Sequence, residues 1–308
     1  MRPMRGREEI ELFCRLPYVL NEEFPTDIDE GRRRPEWMWM ALRGDRLVSR
    51  VTWWARDRDA AGPMLMDVFD VAEGEPLETG VELFRRAMKQ VLPGAAKPLD
   101  YLTFVPSDWR DDDEARRIVQ TRMAGLERTG AKLFVERLRL EWTAGTEIKP
   151  PGERLVFRAP LPLNDGRDEV ISLMTEVLTG TLDAHSLRDL KDKPPAQVAA
   201  EQYDGDFLGD PKPREWWRVA TLPGGEPVGF VIPARNAYNA IINYIGVLPA
   251  QRGNGYIDDI LAEGTRIAAS DGAPRIRAAT DVGNVPMAKA FARNGYRTTG
   301  NQINMTWD

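Results

Sequence analysis

Three features of the sequence imply an α/β (α+β) fold in two tandem domains. With 308 residues, the chain exceeds what one compact core usually fills, at about 150 residues per domain. Strand and helix signals are mixed along its length, with adjacent hairpins and a crossover, which suits mixed α/β or α+β architecture. The chain also repeats itself once, at a period too long for a solenoid, whose units run to about 20–50 residues.

The repeat is carried by two hairpins and by the ends of the two halves. Residues 41–51 read strand, turn, strand around Gly44-Asp45, and residues 220–231 repeat the order around Gly224-Gly225. Towards the end of each half, 126–131 can be laid on 291–296, and at the same offset Glu141-Trp142 falls on Thr306-Trp307. The plain alternative is two unrelated α/β domains that share common hairpin chemistry. Small, polar and proline residues over 143–152 interrupt the apolar pattern and mark the join, so the domains are expected at 1–145 and 146–308.

In the second half the pattern predicts strands at 155–157, 217–221, 228–233, 240–247, 275–280 and 301–307. Helices are predicted at 168–178, 195–202, 256–269 and 285–294. In the first half, the strand 67–71 leads through an acidic turn to a helix over 81–91.

Composition removes several function classes. With 42% hydrophobic and 29% charged residues the chain is an ordinary globular one. No apolar run approaches the ~18–20 residues needed to span a bilayer, and no apolar signal core follows the N-terminus, so a cytoplasmic protein without a membrane partner is expected. Cys14 is the sole cysteine and His185 the sole histidine, which excludes a Cys/His zinc site and a histidine triad and leaves no metal expected. A net charge of −6 argues against a nucleic-acid partner.

The most informative segment joins the strand 240–247 to the helix 256–269 through Arg252-Gly253-Asn254-Gly255-Tyr256-Ile257. Ile257, Ile260, Leu261, Ile267 and Ala268 recur at helical spacing, which places the helix N-terminus at the glycines. The first amides of a helix lack internal partners, and Gly253 and Gly255 let phosphate oxygens approach the backbone. No Lys-Ser/Thr closes the loop, so it is not a triphosphate P-loop, and the third glycine of the dinucleotide fingerprint is missing. The bland alternative is a strand-to-helix turn that binds nothing.

Val247-x-Pro249 followed by Arg252-Gly253-x-Gly255 at a helix start resembles the acyl-coenzyme A pyrophosphate loop of the GNAT (Gcn5-related) N-acetyltransferases. Asn284 through Gly295-Tyr296 resembles the downstream Asn, helix, Gly-aromatic segment of that family. The resemblance covers about 153–308 and extends, through the repeat, over the first half as a degenerate copy. It implies two GNAT-like domains, each a mixed, mostly antiparallel twisted sheet with helices on both faces. The fourth and fifth strands would splay to admit the pantetheine arm of acetyl-CoA. Carried over by position, it assigns Ile245, Gly246, Val247, Arg252, Gly253, Asn254, Gly255, Tyr256, Ile257, Asn284 and Phe291 to the cofactor.

Two departures stand out. Ile257 occupies a position usually held by Gly or Ala, and Phe291 stands where many members carry a tyrosine that protonates the leaving thiolate. Phenylalanine has no proton to give. In the first half the loop is replaced by a turn bearing Glu73, Glu75 and Glu78, whose charge repels a diphosphate, so that half is expected to have lost the cofactor.

Direct acyl transfer needs a neutral amine, a route for its proton and donors for the developing oxyanion. Asn243, Tyr244 and Asp281 are the polar residues best placed by sequence order. Tyr244 reads equally as a sheet-packing aromatic, and Asp281 more readily as a turn or helix cap. Asp183 and His185 follow the first helix of the second half, which in this family often borders the acceptor; a solvated helix end is the other reading. Tryptophans 37, 39, 53, 54, 216 and 217 are assigned mostly to packing.

The reading is an acetyl-CoA-dependent N-acetyltransferase acting on a primary amine of a small molecule by direct transfer, as a monomer or homodimer. The alternatives are a protein lysine or N-terminal acetyltransferase and an acyl-CoA-binding regulatory or assembly module without turnover.

Overall fold

The computed structural model describes residues 1–161, 166–207 and 214–307. The chain divides into two compact units, Met1–Arg137 with the segment from Gly300 onward, and Leu138–Thr299.

The first unit contains β1 (Arg2–Pro3), α1 (Ile10–Phe13), α2 (Phe24–Asp29), β2 (Met38–Arg43), β3 (Arg46–Trp54), β4 (Leu65–Val71), α3 (Leu77–Val91), β5 (Tyr101–Val105), α4 (Asp113–Glu127) and the start of β6 (Lys132–Thr143). The second unit follows the same order, with one more α-helix between its first two strands. It comprises β7 (Val156–Arg158), α5 (Arg167–Val177), α6 (Ala184–Asp189), α7 (Pro195–Phe207), β8 (Arg218–Thr221), β9 (Pro227–Arg235), β10 (Ala240–Val247), α8 (Tyr256–Ser270), β11 (Arg275–Asp281), α9 (Val285–Arg293) and the start of β12 (Arg297–Thr306).

The two units also share one topology. Strands run β1-β2-β3-β4-β5 in the first and β7-β8-β9-β10-β11 in the second. In each, the first three pairings are antiparallel and the fourth is parallel. This is the mostly antiparallel α/β fold that the sequence implies.

Alternate strand residues feed opposite faces, as the two-residue period of a strand requires. In β2, Trp39 and Ala41 join the core under α3 and α4, while Met38 and Met40 join the one under α1 and α2. In β9, Val231 packs with Ile260 and Leu261 of α8, and Ile232 with Val170 and Met174 of α5. Helices therefore cover both faces of each sheet.

Two strands are cut by the division between the units. The end of β12 pairs antiparallel with β5, Asn301 opposite Val105 and Met305 opposite Tyr101, so it belongs to the first unit. The end of β6 belongs to the second, where Glu141 pairs with Arg277 of β11 at 2.7 Å and the Ala144 amide donates to Pro274 O at 2.9 Å. Each half of the sequence thus lends its last strand to the other unit. The segment expected to join two self-contained domains at 145/146 lies just past such an exchanged strand, a connection that residue composition does not reveal.

Other differences are local. The helix expected at 81–91 starts at Leu77, where Pro76 fixes an extended N-cap. Trp37, Trp39 and Trp53 lie in the first unit's core and Trp217 in the second's. Among the described residues, no helix is long and apolar enough to cross a membrane.

Candidate functional site

In the second unit β10 and β11 are parallel neighbours only at Ala240–Ile276 and Ile241–Arg277. Beyond Ile241 the pairing stops and the strands diverge, leaving the β11-facing edge of β10 without a partner strand from Ile242 to Val247. On its other edge β10 stays paired with β9 to Val247–Gly229. Gly246 permits close packing there: a Cβ on it would come within 2.9 Å of Val177 on α5.

The chain leaves β10 through Leu248 and a short 3-10 turn at Pro249–Gln251, then reaches α8 through Gly253 and Gly255. Both have positive φ, +85° and +72°, which side-chain-bearing residues seldom adopt. A Cβ built on either would meet nothing within 4 Å, so the concave side of the turn is open. Among the described residues, the amides of Gly253, Asn254, Gly255, Tyr256 and Ile257 donate no hydrogen bond, and the first in this stretch that does is Asp258 N, to Gly255 O at 3.2 Å. No side chain caps α8. Five successive free donors at the positive end of a fifteen-residue helix form a cradle suited to a diphosphate.

Arg252 has a different task from its neighbours. Its Nε donates to Val247 O at 3.1 Å, Nη1 to Thr179 O at 2.7 Å and Nη2 to Val177 O at 2.9 Å. The guanidinium satisfies carbonyls at the C-terminal end of α5 and ties them to the end of β10. In this way it braces the loop.

The first turn of α8 also carries two carboxylates, Asp258 and Asp259, that oppose an anion. Both are compensated. Asp259 takes Lys149 Nζ at 2.5 Å and the Arg154 guanidinium; burial pushes its carboxyl up, but these hydrogen bonds prevail and hold it below the usual carboxylate range. Asp258 receives Arg293 Nη2 at 2.9 Å and Asn294 Nδ2 at 3.2 Å. Arg154 also donates to Asn254 O at 3.1 Å. The sequence reading missed Lys149, Arg154 and Arg293; the i, i+35 separation of Asp258 and Arg293 leaves no local signal.

The remaining predicted residues lie on β10, at the end of β11 and on or beside α6 and α9. Tyr244 stacks on Phe230, with ring centroids 5.5 Å apart. Asn243 is the extra residue of a bulge where the β10–β9 register shifts. Asp281 ends β11, 4% exposed, and its Oδ2 accepts from the Ala184 amide at 2.7 Å. Asp183 is the N-cap of α6, accepting from Ser186 N at 2.8 Å, and His185 lies in the first turn of that helix. The Asp281 contact draws Asp183, His185 and the end of β11 together, a meeting across 97 residues. Asn284 caps α9 by accepting from Met287 N at 3.3 Å. Phe291 is 2% exposed and packs edge-on against Tyr296 with centroids 5.0 Å apart, within the core beneath α8.

In the first unit the corresponding turn is acidic, and its glutamates have partners in the chain. Glu75 pairs with Arg43 at 2.7 Å and with Arg46, Glu73 with Arg117 at 3.3 Å, and Glu78 with Arg128.

Residues 182–296 match the profile of the acetyltransferase (GNAT) family. A GCN5-related N-acetyltransferase from Sphaerobacter thermophilus superposes with a TM-score of 0.58 at 13% identity, covering 99% of this chain and 93% of that one. A GCN5-related N-acetyltransferase from Kribbella flavida gives 0.52 at 11% identity over 94% and 96%. A tandem GNAT protein from the clavulanic acid biosynthesis pathway gives 0.51 at 13% identity over 99% and 96%. At these identities the likeness is one of fold. No curated protein sequence matches the chain significantly. Residues 182–296 therefore match the acetyltransferase (GNAT) family, and the chain as a whole shares the fold of the GNAT proteins above, with one strand order in both units.

Proposed function

We propose that the second unit binds acetyl-CoA and transfers its acetyl group to a primary amine of a small molecule, in a ternary complex without a covalent enzyme intermediate. The observation that carries this reading is the run of five unengaged amides from Gly253 to Ile257 beside the splay of β10 and β11.

In this reading the amides of 253–257 hold the diphosphate, and Lys149, Arg154 and Arg293 keep the nearby carboxylates from repelling it. The open edge of β10 at Ile245, Gly246 and Val247 runs beside the pantetheine arm, with Asn284 on its other flank, while Phe291 stays in the core behind it. Bound there, acetyl-CoA would supply a thioester whose carbon–sulfur bond breaks as the carbon–nitrogen bond to the amine forms. The Tyr244 hydroxyl is the group we assign to protonate the departing sulfur, and the proton shed by the amine nitrogen restores that hydroxyl. Asp183 and His185 border the amine, and Asp281 acts by positioning them through the Ala184 amide.

A second reading has its own support. Phe291 holds the place of a proton-donating tyrosine, which suits a module that binds acyl-CoA without turning it over. Titration with CoA followed by thiol release against a panel of amines separates the two. Acceptor-dependent release supports the enzyme, and micromolar CoA binding with no release supports the module. No CoA binding at all removes both.

A further inference from the structure

The segment 149–154, which precedes β7, is pinned to α8 at three places. Lys149 O accepts from Arg266 Nη2 at 2.8 Å, Lys149 Nζ donates to Asp259 Oδ1 at 2.5 Å, and the Arg154 guanidinium pairs with Asp259 Oδ2. Arg154, half-exposed, is thereby delivered to the N-terminal turn of the helix. There it does more than meet a carboxylate. Its Nη1 donates to Asn254 O at 3.1 Å, and its guanidinium carbon lies 5.2 Å from the centre of the Tyr256 ring. One side chain thus touches the residue on each side of Gly255.

The Asn254 carbonyl and the Gly255 amide belong to one peptide unit. Among the described residues no peptide bond is cis, and in a planar trans unit the C=O and N–H point in opposite directions. A donor that fixes the carbonyl therefore fixes the amide, aimed away from Arg154. Gly255 needs such a restraint. Without a Cβ it adopts φ of either sign at little cost, so the 254–255 unit can turn over, carrying N–H to where C=O was, unless something outside the loop holds it. A cation on the carbonyl also polarises the peptide and makes its N–H a better donor. Among the described residues the Gly255 amide has no acceptor, and Gly255 is exposed, so an arriving anion displaces no internal partner.

We infer that Arg154 is a positioning residue for the diphosphate: it locks the 254–255 peptide with the Gly255 N–H aimed at the bound oxygens, and does not itself touch them. This rests on the acyl-CoA reading above and deepens it, because there Arg154 served only to offset Asp259. The three roles open to this guanidinium separate by experiment. A lock is lost with the hydrogen bond to Asn254 O, whatever stands at 259. A charge that offsets Asp259 matters only while that carboxylate is present. A direct phosphate ligand is weakened by salt, as exposed charge pairs are.

The test places Arg154→Met in the wild-type and in the Asp259→Asn backgrounds. Melting temperature and calorimetric CoA affinity are read at low and at high salt, and the residual dipolar coupling of the Gly255 amide is read without CoA. A half-exposed ion pair adds little to folding, so the melting temperature is expected to move by only a few degrees. In the free protein the Gly255 coupling should collapse or change sign while couplings across 260–268 hold; a coupling equal to that of the wild type would overturn the lock. CoA affinity should fall about tenfold in both backgrounds and by the same factor at both salts, the scale of one hydrogen bond lost. A loss confined to the wild-type background would reduce Arg154 to a counter-charge for Asp259, and a loss that shrinks at high salt would make it a phosphate ligand; either result overturns the inference. Arg154→Lys keeps the charge beside Asp259 but not the planar fork, and so guards against a folding defect. Its affinity and its Gly255 coupling should move together, and a changed coupling with affinity intact would overturn the inference. If the wild-type chain binds no CoA, the acyl-CoA reading fails and the diphosphate role falls with it, while the coupling still decides whether the lock exists.

Discussion

Trp307, at the end of the second half of the sequence, stacks on Phe84 of α3 in the first unit, with ring centroids 5.6 Å apart and planes 12° from parallel. Its indole Nε1 donates to Thr129 Oγ1 at 3.0 Å, and it is 7% exposed. The counterpart residue in the repeat, Trp142, is buried in the second unit's core beside Ile276 and Tyr296. The two tryptophans that align in the repeat have therefore exchanged cores.

Replacing Trp307 with Ala should destabilise the first unit by about 3–5 kcal/mol, the usual cost of emptying a buried aromatic site. Urea denaturation is the measurement. A change under about 0.5 kcal/mol would show that the exchanged strand contributes no core.

Gly255→Val should cost little stability, about 1–2 kcal/mol for holding a side-chain-bearing residue at positive φ, because the new Cβ meets nothing within 4 Å. CoA affinity should nevertheless fall at least tenfold, since the added branch stands over the free amides. Unchanged affinity in a calorimetric titration would mean that the loop does not hold the diphosphate.

Arg252→Met should weaken CoA binding although the guanidinium is committed to Val177, Thr179 and Val247 carbonyls. The expected sign of its bracing role is faster amide exchange across 247–257 in the free protein. A loss of affinity with exchange unaltered would instead make Arg252 a direct phosphate ligand.

Acid should act on the first unit through Asp70. Burial pushes this carboxyl up, but the Arg122 and Arg50 charges and their hydrogen bonds outweigh it and leave it below its ordinary 3.8. A carboxyl depressed by folding contributes stability above its unfolded pKa and loses it as pH falls through the folded value. Stability should therefore decline from about pH 5 downward. Asp70→Asn should flatten that decline and cost about 3–5 kcal/mol at pH 7, because two buried guanidinium groups lose their counter-ion.

One CoA should bind per chain. Glu73, Glu75 and Glu78 occupy the turn where the first unit would need free amides and positive charge. Calorimetric stoichiometry near two would refute this.

The loop was the most legible part of the site, because its chemistry is local. Glycines at 253 and 255 between an apolar strand and an amphipathic helix already dictate free amides at a helix start. The repeat was legible for the same reason, through hairpins at 41–51 and 220–231. The Arg252 brace was not: its partners lie 73 and 75 residues earlier, and the pattern suggested a residue facing the phosphates. Nor was Asp281, whose hydrogen-bond partner is the Ala184 amide of α6.

By itself the sequence determined the α/β class, the duplicated hairpins and the position of the glycine loop between β10 and α8, all of which depend on residue types at short spacing. Tertiary structure alone decided which strand closes which unit and which carboxylates beside the loop are neutralised. Those outcomes depend on pairings between residues tens to more than a hundred positions apart, and local hydrophobic periodicity carries no record of such partners.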